Sequence, residues 1–283
     1  MKKVIINADD FGLCRPVNEG IVKAHREGIL TSATLMTNTP GFDEAVALAR
    51  QNPKLGVGVH LNIVRGRPLS PPEDIPGLLG PAGRFPAKPA LILRKIATRR
   101  IDPGEIEREF RAQIEKALAS GLVLTHLDSE KHIHAFPPVF RIVIRLAREY
   151  GFRRVRFIRE IRPSRHVGQA VKAAFLSACC ARVRGEIRAA GLVCAGAFYG
   201  ISNSGRMNAA ALRRILGRVR DGSAEVMVHP GFQTAELFEL ESEVGRYYIN
   251  RFREQELRAL LDPGLRPLVR KLGLSLVDFS GIE

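Results

Sequence analysis

Short apolar, β-branched runs alternate along the chain with segments whose apolar residues recur every three or four positions. KVIINA (3–8) reads as a buried strand, and Pro16 then opens a helix through about Glu27. SATLMT (32–37) is a second strand, broken by Pro40 and Gly41 before the amphipathic DEAVALAR (43–50). LGVGVHLNI (55–63) is a third strand. IEREFRAQIEKALA (106–119) predicts a helix with Ile106, Phe110, Ile114 and Leu118 on one stripe. LVLTHLD (122–128) is a fourth strand, followed by helix VFRIVIRLAREY (139–150). RVRFI (154–158), LVCAGAF (192–198), AEVMVHP (224–230) and LSLVDF (274–279) read as further strands, with helices at about 249–261 and 266–272. Strands alternating with helices imply an α/β fold on a parallel sheet. Seven or eight such units suggest a closed or nearly closed barrel. No internal repeat or linker divides the chain, so residues 1–283 read as a single domain.

One segment breaks this rhythm. Residues 66–90 hold seven of the 17 prolines, interleaved with Leu69, Ile75, Leu78, Leu79 and Phe85. A long Pro/Gly-rich loop with apolar anchors predicts a packed, substrate-side loop.

The polar residues sit where such a barrel does its chemistry, at the C-terminal strand ends. Asn7, Asp9 and Asp10 end the first strand, His60 and Asn62 the third, His126, Asp128 and Glu130 the fourth, and His229 a late one. Carboxylates with imidazoles suit a divalent metal such as zinc, magnesium or manganese, beside a carboxylate that takes a proton from activated water. Neighbouring side chains alternate along a strand, so Asp9 and Asp10 reach one site only through a bend. In THLDSEKHIH (125–134), His126, Asp128, Glu130, His132 and His134 share one parity. Five groups are too many for one metal, so the strand is expected to end near Asp128 and the rest to loop over the site.

Composition changes this picture little. Apolar residues make up 45% of the chain, which argues against disorder, and no run is long enough to span a membrane. The N-terminus reads as a mature strand with no signal-peptide pattern. Cys14, Cys179, Cys180 and Cys194 form no CxxC and read as free thiols, which suits a reducing cytoplasm. The net charge of +15 favours anionic partners, yet no nucleic-acid motif accompanies it, so no nucleic acid is expected. Arg153, Arg154, Arg156, Arg159, Arg162 and Arg165 cluster ahead of an Ala/Val/Phe-rich helix at about 167–190. That stretch reads either as an ordinary core helix with a solvated face or as a surface that meets an anionic membrane.

At these residues the chain resembles the YdjC family of carbohydrate deacetylases, which includes chitooligosaccharide and hopanoid-biosynthesis deacetylases. The matching pieces are NADDFGL (7–13), GILTSATLM (28–36), GVHLN (58–62), THLDSEKHIHAFP (125–137), MVHPG (227–231) and REQELRALLDP (253–263). The resemblance implies an irregular (β/α) barrel of about seven parallel strands. It implies removal of acetyl from an N-acetylated sugar, oligosaccharide or lipid-linked, with one divalent metal ion. It makes Asp9 the base, Asp10 and His60 metal ligands and His229 the general acid. His126, Asp128, His132, His134 and Asn62 are then expected around the substrate. The family commonly places a histidine ligand directly after THLDS. Here Glu130 occupies that position and Lys131 the next. Glu130 replaces the histidine as ligand, His132 swings in, or the metal site is weakened. A carboxylate there favours harder ions, and Lys131 is either solvated or offsets its charge. A glycoside hydrolase using Asp9 and Asp128 and a non-catalytic sugar- or lipid-binding protein stay open, as does a homodimer.

Overall fold

The computed structural model describes residues 1–80, 82–160, 167–239 and 252–283. Its seven strands are β1 (Lys2–Phe11), β2 (Ser32–Leu35), β3 (Gly56–Leu61), β4 (Leu124–Ser129), β5 (Ala197–Tyr199), β6 (Gly222–Val228) and β7 (Leu274–Leu276). They are ordered β4-β3-β2-β1-β6-β5, with β7 on the start of β1, and every registered pair is parallel. The helices are α1 (Arg15–Glu27), α2 (Phe42–Arg50), α3 (Pro89–Ala97), α4 (Pro103–Ala119), α5 (Pro137–Glu149), α6 (Val167–Ala189), α7 (Ala209–Leu216), α8 (Ala235–Glu239), α9 (Phe252–Leu260) and α10 (Leu265–Lys271). Proline occupies the first turn of α1, α3, α4 and α5, where its missing N–H has no helical acceptor to lose. Among the described residues no helix is long and apolar enough to cross a membrane.

Two expected strands are corrected. Residues 154–158 form no continuous strand, and of 192–198 only Ala197 and Phe198 belong to one, β5. The reason is an interrupted ladder. Single parallel bridges join Leu127 to Val155, Arg154 to Val193 and Glu160 to Phe198, with none between. These bridges carry the sheet from β4 round to β5, making an irregular barrel with one ragged wall. The expected α4 stripe also fails at its end, because Leu118 is exposed. Each step of four residues rotates by about 40°, so three such steps from Ile106 carry Leu118 off the buried face. Of the helix expected at 249–261, residues 249–251 lie outside the described residues, as do Arg162 and Arg165 of the arginine cluster.

Strand alternation sorts the core. Val4, Ile6 and Ala8 of β1 pack outward with Val17 and Ile21 of α1, while β3 and β4 share a second cluster with α4, α5 and α6. The other face of β1 looks into the barrel. Ile5 there joins Ala195, Phe279 and Ile282 in a small cluster at the N-terminal end. The segment after β7 closes that end. Arg154 donates to the carbonyls of Ser280 (2.9 Å) and Ile282 (3.2 Å), and the Phe279 ring stacks on His126 with centroids 3.5 Å apart.

The proline-rich loop is anchored, not loose. Ile75, Leu78 and Phe85 are buried in the second cluster. Glu109 of α4 accepts the backbone N–H groups of Leu69 and Ser70, and Glu105 accepts those of Gly77 and Leu78. The loop leaves β3 at the C-terminal rim, and α3 begins at Pro89.

Candidate metal centre

The expected bend at the end of β1 is present. The register shifts between Ala8 and Phe11, and Asp10 takes a left-handed φ of 70°. Asn18 of α1 holds the turn, accepting the Gly12 N–H at 2.7 Å and donating to the Gly41 carbonyl at 2.9 Å. Both carboxylates therefore enter the barrel. β4 ends at Ser129, after which Lys131 (φ 52°) and His132 (φ 61°) are both left-handed. Two such non-glycine residues in sequence are costly, about 1–3 kcal/mol each, and persist only where surroundings impose them. Ser129 stabilises the turn by accepting the His134 N–H at 2.9 Å. The reversal brings Glu130 back beside His60.

His60 is the hub. Its Nδ1 lies 2.7 Å from Asp128 Oδ1, and a carboxylate only accepts, so Nδ1 carries a hydrogen. Nε2 faces Glu130 Oε2 at 3.3 Å and Asp10 Oδ1 at 3.9 Å. Ligand atoms of Asp10, His60 and Glu130 all lie within 4.8 Å of one another, and Asp9, His60 and Asp128 form a second such group. His132 belongs to neither. The remaining oxygens are held by arginines. Arg65 binds Glu130 Oε1, and Arg253 of α9 binds Asp10 Oδ2 at 2.5 Å. One oxygen of each carboxylate thus faces the imidazole and the other a guanidinium. A cation fits this donor set: two anionic oxygens, and an imidazole whose carboxylate partner fixes its tautomer.

Behind the hub lies a fully buried ion cluster. Arg156 donates to both Asp9 oxygens (2.9 and 2.6 Å), to Glu225 Oε1 (2.7 Å), and pairs with Asp128 Oδ2 at 2.6 Å. Burial pushes Asp9 up, but Arg156 and His60 overcome it and hold the carboxyl well below its usual range. Burial pushes His60 down, yet Asp128 and Glu130 raise it well above an ordinary histidine. For Glu225 burial wins over Arg156, and its pKa rises to about 7.

The group opens into a cavity of about 240 Å³ lined by Asp9, Asp10, Glu130, His132, Lys172 and His229, among others. His229 is held through its backbone N–H, which donates to Glu256 Oε2 at 2.5 Å, and its Nδ1 lies 3.8 Å from the same oxygen. The loop after it passes close to α1. A Cβ on Gly20 would meet Gly231 Cα at 2.6 Å, so a side chain there would push α1 away.

Of the residues expected around substrate, His132 lines this cavity, while His126, Asp128, His134 and Asn62 do not. His126 is buried on Phe279 in the barrel floor, with Gly58 providing its space. Asp128 orients His60, and His134 is fastened to Ser129. Asn62 accepts the Val64 N–H and donates to the Arg65 carbonyl, so it shapes the loop. None of the described loop residues 66–90 lines the cavity; Gly66, Arg67 and Arg84 line a neighbouring one with Asn38. Lys131 is not freely solvated. Its Nζ is 4.0 Å from Glu130 Oε1, and burial pushes its pKa down to about 8.

Arg156 is the largest correction. It reads in sequence as one of a surface cluster but is fully buried. Its signal is its place between Val155 and Phe157, at an inward position of an apolar run. Glu225 shares the inward parity of Met227 and His229. Arg253 and Glu256 fall in the matching piece REQELRALLDP without a role assigned to them, and Arg65 gave no local signal.

A buried carboxylate–imidazole group at the C-terminal rim of a (β/α) barrel lies where such barrels carry their active sites. Residues 3–271 match the YdjC-like protein family, and the chain belongs to it. A carbohydrate deacetylase of Geobacillus stearothermophilus is 35% identical over 276 residues, covering 97% of this chain and 96% of that one. One of Brevibacillus brevis is 50% identical over 148 residues, covering 52% of this chain and 56% of its own length. Among solved structures, an Enterococcus faecalis V583 protein provisionally assigned to cellobiose-phosphate cleavage superposes with a TM-score of 0.77. It is 26% identical, with 99% of this chain and 98% of that one covered.

Proposed function

We propose that the protein is a metal-dependent carbohydrate N-deacetylase, acting on an N-acetylated amino sugar that is either an oligosaccharide or lipid-linked. The observation that carries this reading is the meeting of Asp10, His60 and Glu130 within 4.8 Å, beside a cavity lined by Asp9, Asp10, Glu130 and His229. The deacetylase names of the full-length relatives support the substrate class. Asp10, His60 and Glu130 would hold the ion. Two carboxylates to one imidazole favour magnesium or manganese, with zinc a third choice. A divalent ion, when bound, supplies Lewis acidity for polarising an amide carbonyl and acidifying water.

The chain's own residues do the rest. Arg156 keeps Asp9 ionised at neutral pH, so Asp9 is available to accept a proton as water oxygen adds to the acetamide carbon. His229 stands on a different strand end and gives a proton to the amine nitrogen as the C–N bond breaks, releasing acetate. Glu256 orients it. The free cysteines fit a cytoplasmic protein.

The test is acetate release from N-acetylglucosamine oligomers and a lipid-linked analogue. Release should stop with EDTA and return with added manganese, magnesium or zinc. No acetate from either substrate with any of these metals overturns the reading. New reducing ends that persist in EDTA would favour a glycoside hydrolase. Asp9 and Asp128 suit that alternative poorly, because Asp128 is fully buried and both bind one guanidinium. Replacing His229 with alanine should lower kcat about a hundredfold or more with little change in KM. Equal rates for variant and wild type would remove His229 from the role of acid.

A further inference from the structure

The outer face of α6 lies beside the catalytic cavity and belongs to none of the chemistry above. This helix is apolar on two opposite sides. Leu176, Cys180, Val183 and Ile187 are buried in the second core cluster. On the other side Val167, Val171 and Phe175 are 77%, 62% and 49% exposed. They recur every four residues and form one stripe, with exposed Ala174 and Ala178 filling it. A surface helix ordinarily has one apolar side, so a second, exposed stripe opposite the buried one calls for a cover. Lys172 and Arg182 are exposed along the same stretch. The first acid on the helix is Glu186, which is engaged by Arg141 at 2.9 Å.

We infer that this face docks on an anionic bilayer, with Val167, Val171 and Phe175 at the acyl boundary and Lys172 and Arg182 among the headgroups. Charge decides between occupants. A second copy of the chain would bring another +15 against this one, whereas an anionic surface attracts it. A short apolar stripe binds weakly alone, and apolar insertion with electrostatic attraction together make a usable anchor. Gln169 and Lys172 line the cavity from the other side of the same two turns, so docking holds the cavity within about one helix diameter of the membrane. The docking does not rest on the deacetylase reading.

The experiment is co-sedimentation of the full chain with phosphatidylglycerol vesicles and with phosphatidylcholine vesicles. The protein should partition to the anionic vesicles, and 0.5 M salt, about a 4 Å Debye length, should weaken this several-fold. The double variant Val171→Ser/Phe175→Ser should bind at least tenfold more weakly at unchanged melting temperature. Val123→Ser, which alters an 88% exposed valine elsewhere, should bind like wild type. Equal binding by wild type and double variant overturns the proposal, as does no binding to anionic vesicles. A wild-type dimer in light scattering that the double variant abolishes also overturns it, because the stripe would then be a self-association face.

Discussion

Replacing Arg156 with methionine is expected to lower the unfolding free energy by about 3–5 kcal/mol. For a chain of this size that corresponds to roughly 10 °C in melting temperature. Methionine fills much of the same space, so the loss is electrostatic. Asp9, Asp128 and Glu225 would remain buried without the guanidinium they share. The pH dependence gives the sign. In the wild type Asp9 is held below its unfolded pKa, so its contribution is present at neutral pH and lost on acidification. Without Arg156, burial dominates for Asp9 and Glu225 and their folded pKa values lie above the unfolded ones. Folded-state protonation then favours the variant at low pH and is lost as pH rises. The gap between the two proteins should therefore be smaller at pH 5 than at pH 8. Thermal melts at both pH values measure it; a gap of less than about 2 °C at pH 8 would mean that Arg156 is not the counterion of this cluster.

Glu130 provides the second large effect. Glu130→Ala should weaken manganese or zinc binding at least about a hundredfold in calorimetry, since it removes one ligand outright, and metal-dependent acetate release should fall with it. Glu130→His separates the ligand from its charge. An imidazole can still bind metal, but the buried Arg65 loses its ion pair with Glu130. Stability should fall by about 3 kcal/mol, and adding Arg65→Met should return most of that loss. Additive effects of the two changes on stability would show that Arg65 does not act through Glu130. Unchanged metal affinity in Glu130→Ala would remove Glu130 from the ligand set.

The strand–helix alternation and the paired aspartates were legible because each is written in neighbouring residues, and the departure at Glu130 was legible through the family resemblance. The bend at Asp10 follows from two adjacent carboxylates on a strand, and the structure has it. What escaped was the second half of each ion pair. Arg65 lies 65 residues from Glu130, and Arg253 lies 243 from Asp10. Nothing local distinguishes Arg65 from a solvated arginine, and Arg253 opens the matching piece REQELRALLDP without showing what it pairs with. Arg156 was misplaced because an arginine-rich stretch of a +15 chain reads as surface, although its flanking Val155 and Phe157 marked it as inward. The histidines of 125–134 misled in the opposite direction. His126 and His134 are packing groups, stacked or edge-on against Phe279 and Phe140.

The stack of His126 on Phe279 has a kinetic consequence. With Ile5 and Ile282 beside it, it stops the barrel at its lower end, and a side chain at Gly58 would collide with that imidazole. Among the described residues this plug shuts the barrel from below, so exchange of anything held near His60 is expected over the C-terminal rim.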